Sequence, residues 1–173
     1  VEIRDMAKEG VVRNNLAATL IKLKRYEESR TEILRAIECK TPYGHAATPW
    51  KTYDILCYLE RAEGNFKAAQ AAREKATELF LAYRRDGGEN YSGTGRLCLA
   101  FGQALKANQT AEMAATLEVA LDMPEIPSST KSLIPKLQAI LAGSRDPELA
   151  NDPELYYRDA VEVILLVENL NDE

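Results

Sequence analysis

The stretch Leu16-Ala17-Ala18-Thr19-Leu20-Ile21-Lys22-Leu23-Lys24-Arg25-Tyr26-Glu27-Glu28-Ser29-Arg30-Thr31-Glu32-Ile33-Leu34-Arg35-Ala36-Ile37-Glu38-Cys39-Lys40-Thr41-Pro42 reads as two helices joined by a short break. Leu16, Leu20, Ile21 and Leu23 recur at the spacing that gathers apolar side chains on one helix face. Lys24-Arg25 interrupts that pattern. Tyr26, Ile33, Leu34 and Ile37 set up a second face, which ends before Thr41-Pro42 because proline cannot continue a helix. Strand-like alternation is nearly absent along the whole chain, so the expected fold class is all-α.

The same grammar repeats toward the C-terminus. Thr48-Pro49 predicts an N-cap followed by proline at the first helical position, where the missing N–H costs nothing. Trp50, Tyr53, Leu56, Cys57 and Leu59 form the face of that helix, and Gly64-Asn65 is a tight turn. An alanine-rich helix follows from Phe66 to about Arg85, stopped by Gly87-Gly88. Beyond the glycine-rich loop 87–95, helices are expected over 96–106 and 110–121, separated by Asn108-Gln109. Pro124 and Pro127 break the chain, and Ser128 or Ser129 caps a helix that runs to about Ala142 and includes Pro135. Asp146-Pro147-Glu148-Leu149 and Asp152-Pro153-Glu154-Leu155 repeat one helix-start signal: an Asp cap, a proline, and an acid favoured by the helix dipole. The second copy opens a final helix over 153–170. The expectation is eight helices in four pairs, spanning about 10–42, 49–86, 94–124 and 128–171 of one domain.

The pairs are similar to one another, and Leu16-Ala17, Leu20, Lys24 to Ser29, Ile33, Ala36-Ile37-Glu38 and Pro42 closely resemble a tetratricopeptide repeat. In that family small residues pack between the two helices and an aromatic opens the second; Ala17, Ser29, Ala36 and Tyr26 stand in those places. Tyr53, Leu56-Cys57, Gly64-Asn65-Phe66, Ala69 and Ala76 fit a second unit, so the resemblance is clear over 11–81. Tyr26 and Phe66 are 40 residues apart, against a family period of about 34, and the loop 43–47 absorbs the excess. A third unit over 94–123 is degenerate, with Thr110 where the aromatic belongs, and the last pair is a helical cap matching only in outline.

The resemblance implies a right-handed superhelix of αα-hairpins, each covering its neighbour because one pair cannot bury its own apolar face. It also implies a scaffold or adaptor that holds a peptide or helix in a concave groove, as part of a longer bacterial-type repeat protein. The first residue is valine, not methionine, as a piece of a longer chain would show. By register the groove positions are Asn14 and Ala18, then Lys51, Asp54, Tyr58 and Arg61, then Cys98, Gly102 and Leu105. Tyr58 would anchor a partner, with Lys51 and Arg61 meeting its acidic groups. Of the lysine–asparagine–lysine–arginine carboxylate clamp of some members only Asn14 is present; Ala18, Asp54 and Gly102 depart from it. Solvated polar residues on a vacant surface remain the alternative.

Charge and composition narrow the partners. The 173 residues are 46% hydrophobic and 28% charged, which suits one folded domain. The net charge of −5 argues against nucleic acid, which needs a basic face. Residues 145–173 hold nine acids and two bases, leaving +2 for the rest of the chain. The run Val161–Val167 is interrupted by Glu162 and is far too short to cross a bilayer. The final helix is apolar on two sides, which fits either burial on both or a homodimer contact.

No constellation for chemistry assembles, and the chain is expected not to be an enzyme. One histidine, His45, and three scattered cysteines rule out the common zinc patterns, and no metal or other cofactor is expected. Cys39, Cys57 and Cys98 read as buried hydrophobes in a reducing, cytoplasmic setting, and His45 as a surface residue. The loop Gly87–Arg96, flanked by Arg84, Arg85 and Arg96, could hold an anion on backbone N–H groups and make a ligand-sensing domain. Its glycines equally suit a plain connection between repeats.

Overall fold

The computed structural model describes residues 3–171, with side chains from residue 6. Eight α-helices and no strand occur among the described residues. The chain divides into two compact units, 1–87 and 88–173. The first holds α1 (Ile3–Lys22), α2 (Tyr26–Lys40), a 3-10 segment Thr41–Ala47, α3 (Trp50–Ala62) and α4 (Phe66–Arg85). The second holds α5 (Gly93–Lys106), α6 (Thr110–Asp122), α7 (Ser128–Leu141), a 3-10 turn Pro147–Asn151 and α8 (Tyr157–Asn171).

Three hairpins close with one and the same turn. Lys24, Gly64 and Asn108 all adopt the left-handed conformation, at φ 59°, 79° and 57°. In each, the next residue's N–H returns to a carbonyl five residues back: Arg25 to Leu20, Asn65 to Glu60 and Gln109 to Ala104. This is the Schellman pattern, which satisfies carbonyls that the helix end leaves open. These turns recur 40 and then 44 residues apart, the same offsets that separate Tyr26, Phe66 and Thr110.

Burial follows the same register. Ala17, Ser29 and Ala36 are buried in the first hairpin, and Cys57, Ala69 and Ala76 are buried 40 residues on. Ser29 donates its hydroxyl hydrogen to the Ala17 carbonyl at 3.0 Å, so the small pair also fixes how closely α1 and α2 approach. Ile33, Arg73 and Leu117 are three further equivalents, all buried. α3 then docks on the first hairpin. Ile55, Leu56 and Leu59 pack with Ala17, Ile21 and Ile33, and Arg30 of α2 pairs with both Glu60 and Glu63.

Several local expectations change. Of the first two predicted faces, Leu16, Leu23 and Leu34 are exposed, and Leu20, Ile21 and Ile33 carry the packing instead. Thr48 is not a side-chain cap. It sits at φ 48°, Pro49 takes the cap position, and the Thr48 carbonyl receives the Lys51 N–H. Ser128 is the first residue of α7 rather than its cap. Asp146 and Asp152 do accept the N–H groups of Glu148 and Glu154, at 2.9 and 2.8 Å. They cap single turns, however, and the last helix starts only at Tyr157. Those turns carry Ala150 and Leu155 into the second core, among Phe101, Leu117, Leu133, Leu137, Val163 and Val167. The apolar surplus of α8 is absorbed there: Val161 and Val163 are fully buried, and Ile164 and Leu166 pack against the cluster. No large apolar side chain of α8 is exposed among the described residues, and Leu165, Leu166 and Leu170 are half-buried.

Candidate functional site

Lys51, Asp54, Tyr58 and Arg61 fall at intervals of three and four along α3 and share one face. Lys51 and Arg61 are exposed, Asp54 is half-buried, and Tyr58 is 68% exposed. Arg61 reaches back to the Cys57 thiol, with Asp54 and Arg73 close by. Burial pushes that thiol's pKa up, and the Asp54 charge adds to the effect. A rigid helix therefore holds an exposed aromatic between a lysine and an arginine.

Asn14 does not share that face. It is buried on α1 and donates from Nδ2 to Thr52 Oγ1 at 3.0 Å, which ties α1 to α3, while its Oδ1 has no hydrogen-bond partner. Ala18, one helical turn further on, is half-buried. The third-unit groove positions are closed. Cys98 is buried, Leu105 packs on the second core, and a Cβ on Gly102 would lie 3.6 Å from Leu166 of α8. α8 thus covers the face of α5 that an open groove would need.

One residue escapes sequence reading. Lys40 lies in the last turn of α2, where the helix dipole favours a cation. It is only 1% exposed, and no hydrogen bond or ion pair to it occurs among the described residues. Its stem runs over Gly10 of α1, where an added Cβ would lie 2.8 Å from Lys40 Cγ. Burial pushes its pKa down to about 8, and the Lys51 charge adds to the shift. Gly10, a glycine inside a helical pattern, was the available signal of that close approach.

The glycine-rich loop is tied down by side chains. Within the second unit Asn90 donates to Glu162 Oε1 at 3.0 Å and accepts from the Ser92 N–H at 3.2 Å. Ser92 caps α5 by accepting the Gly95 N–H at 3.0 Å. Gly95 must be glycine, because a Cβ there would lie 2.3 Å from the Asn90 carbonyl oxygen. Thr94 donates to the fully buried Asp159 at 2.6 Å. Arg84 and Arg85 sit in the last turn of α4, in the first unit, and Arg96 is exposed on the first turn of α5, in the second.

His45 is half-buried rather than free at the surface. It lies against Trp50 and Tyr83, and its Nε2 is 2.9 Å from Asp86 Oδ2. All three cysteines are buried, and none is in a disulfide. Among the described residues no group of three or more histidine, cysteine, aspartate or glutamate side chains could hold a metal ion. No helix there is long and apolar enough to cross a membrane. Compared with protein-family models, with curated proteins and with solved structures, the chain matches none.

Proposed function

We propose that the chain is a tetratricopeptide-like scaffold that binds a protein segment, a peptide or a helix, along the exposed face of α3. The observation that carries this reading is Tyr58, a large aromatic left 68% exposed on a packed helix with Lys51 and Arg61 on the same face. Aromatic and arginine side chains dominate binding energy when a partner desolvates them. The basic pair favours acidic residues around the partner's apolar anchor. The three identical hairpin turns and the shared register of buried small residues support the repeat reading behind it. Buried thiols outside any disulfide suit a reducing compartment, and the proposed setting is the cytoplasm.

The loop bounded by Arg84 and Arg96 is a poorer candidate for anion sensing. The N–H groups of Ser92 and Gly95 are already taken by side chains, and the buried carboxyl groups of Asp159 and Glu162 lie against the same loop and helix end. The groove reading is tested by screening a peptide library and measuring the best binders on the Tyr58→Ala and Arg61→Glu variants. A loss of about tenfold or more in each is expected, corresponding to about 1.4 kcal/mol or more. Unchanged binding by both would remove the α3 face from consideration.

A further inference from the structure

Lys40 ends α2 where nothing answers its charge. It is 1% exposed, and no hydrogen bond or ion pair to it occurs among the described residues. Its stem lies over Gly10 of α1. A Cβ there would come within 2.8 Å of Lys40 Cγ, 3.2 Å of its Cε and 3.4 Å of Cys39 Cβ, so the side chain is confined between the two helices. Buried charges are normally paired or given up. Glu9, the residue before Gly10, is held by Arg13 at 2.8 Å and faces Arg35 at 3.7 Å. Glu38 is held by Arg35 at 2.8 Å. The charge that does act on Lys40 is a second cation, Lys51, in the first turn of α3.

Another unmet group lies one turn further along the same face of α1. Asn14 donates from Nδ2 to Thr52 Oγ1, and its own Oδ1 is buried with no hydrogen-bond partner. Thr52 follows Lys51 in α3. The junction of α1, α2 and α3 therefore brings together a buried amine without an acceptor, a buried acceptor without a donor, and a lysine at the positive end of a helix.

We infer that Lys40 is a carbon dioxide site, where the neutral amine adds CO2 and becomes a carbamate anion paired with the Lys51 ammonium. Nζ attacks the carbon of CO2. An N–C bond forms as one C–O π bond breaks, the electron pair moves onto oxygen, and one proton leaves Nζ for solvent. The product exchanges an unpaired buried cation for an anion beside a cation, and its remaining N–H is the kind of donor that Asn14 Oδ1 lacks.

Burial supplies the nucleophile. It pushes the Lys40 pKa down to about 8, so about half of the amine is neutral at pH 8, against on the order of one in 300 for an ordinary lysine. Burial also selects the electrophile. CO2 is small, uncharged and linear, whereas bulky acyl donors need an approach that the packed helices close off. An acyl group would also leave a neutral amide, which gains nothing from Lys51.

The test incubates the whole chain at about pH 8 with isotopically labelled bicarbonate, a source of dissolved CO2, and fixes carbamates as ethyl esters with triethyloxonium before peptide mass spectrometry. Lys40 is expected to carry the label at about tenfold or more above any exposed lysine. Lys51→Gln, a change at an exposed position, keeps the amine and removes its counter-cation, and labelling of Lys40 should fall severalfold. Lys67→Gln, at an exposed lysine of α4, leaves it unchanged. Only the folded chain holds the amine in this state. Bicarbonate should therefore raise the melting temperature above that in equimolar chloride, and Lys40→Met should abolish the rise. An unlabelled Lys40, labelling no higher than that of exposed lysines, or labelling indifferent to Lys51→Gln overturns the inference. So does a melting temperature that bicarbonate leaves unchanged or raises equally in Lys40→Met.

Discussion

Thr94 and Asp159, 65 positions apart, meet in a 2.6 Å hydrogen bond in which the hydroxyl donates to Oδ1, while Asp159 Oδ2 is buried without a partner. The bond joins the first turn of α5 to α8 and sits beside the Asn90–Glu162 bond that anchors the glycine-rich loop. A carboxylate in that position has half its acceptor capacity unmet and a second carboxyl one turn away.

Stability should consequently fall as pH rises. Burial pushes the Asp159 pKa up to about 6 from an ordinary 3.8, with the Glu162 charge adding to it; the Thr94 bond and the Arg158 charge pull the other way. The folded state thus holds the proton more tightly than the unfolded one. The contribution is fully present below about pH 4 and is lost as pH passes through about 6. Asp159→Asn keeps an acceptor for Thr94 and removes the charge. At pH 7.5 it should be more stable than the wild type by on the order of 2 kcal/mol, with little difference at pH 4.5. Urea denaturation at both pH values checks this, and equal gaps at the two would refute it.

The shared hairpin turn gives a second test. Lys24 and Gly64 occupy equivalent left-handed positions, but only one is glycine. A side chain in that conformation costs about 1 kcal/mol. Lys24→Gly should stabilise the first unit by about 0.5–1 kcal/mol, and Gly64→Ala should destabilise it by a similar amount. Thermal melts of the two variants should move in opposite directions. Movement in the same direction would mean the two turns are not energetically alike.

The periodic part of the architecture could be read from residues alone. Ala17, Ser29 and Ala36 and their equivalents Cys57, Ala69 and Ala76 announce close helix pairing, because only small side chains let two backbones approach. What escaped were choices that depend on packing partners. Nothing local distinguishes Leu20 from Leu23, yet one is buried and the other exposed, since the buried face of α1 is the one that meets α2 and α3. The Asp-Pro pairs specify a capped turn and say nothing of its length, so α8 starts four residues later than Pro153 predicts. On the candidate face, Lys51, Tyr58 and Arg61 are exposed. Asn14 does not, because Thr52 supplies a buried partner from another helix. The chemistry of Asp159 and Lys40 was invisible, since desolvation is a property of the assembled core.

Lys40 supplies the complementary pH test. Burial holds its ammonium well below the usual lysine range, at about 8, so the folded protein sheds this proton before the unfolded chain does. Stability should rise as pH climbs from about 8 toward 10.5, opposite in sign to the Asp159 effect and in a separate window. Lys40→Met keeps much of the stem and removes the buried charge. It should stabilise the protein at pH 7 by on the order of 2 kcal/mol and flatten the profile above pH 8. Gly10→Ala acts on the same side chain from the other helix. Its Cβ would meet Lys40 Cγ at 2.8 Å and Cε at 3.2 Å, so the lysine must leave its channel or the helices must part. A destabilisation of about 1–3 kcal/mol is expected from such overpacking. If the lysine stem causes it, Lys40→Ala in the same chain should relieve most of the loss. Were the Gly10→Ala penalty the same with alanine at position 40, the crowding would lie in the backbones, and the close approach of α1 and α2 would owe nothing to the buried lysine.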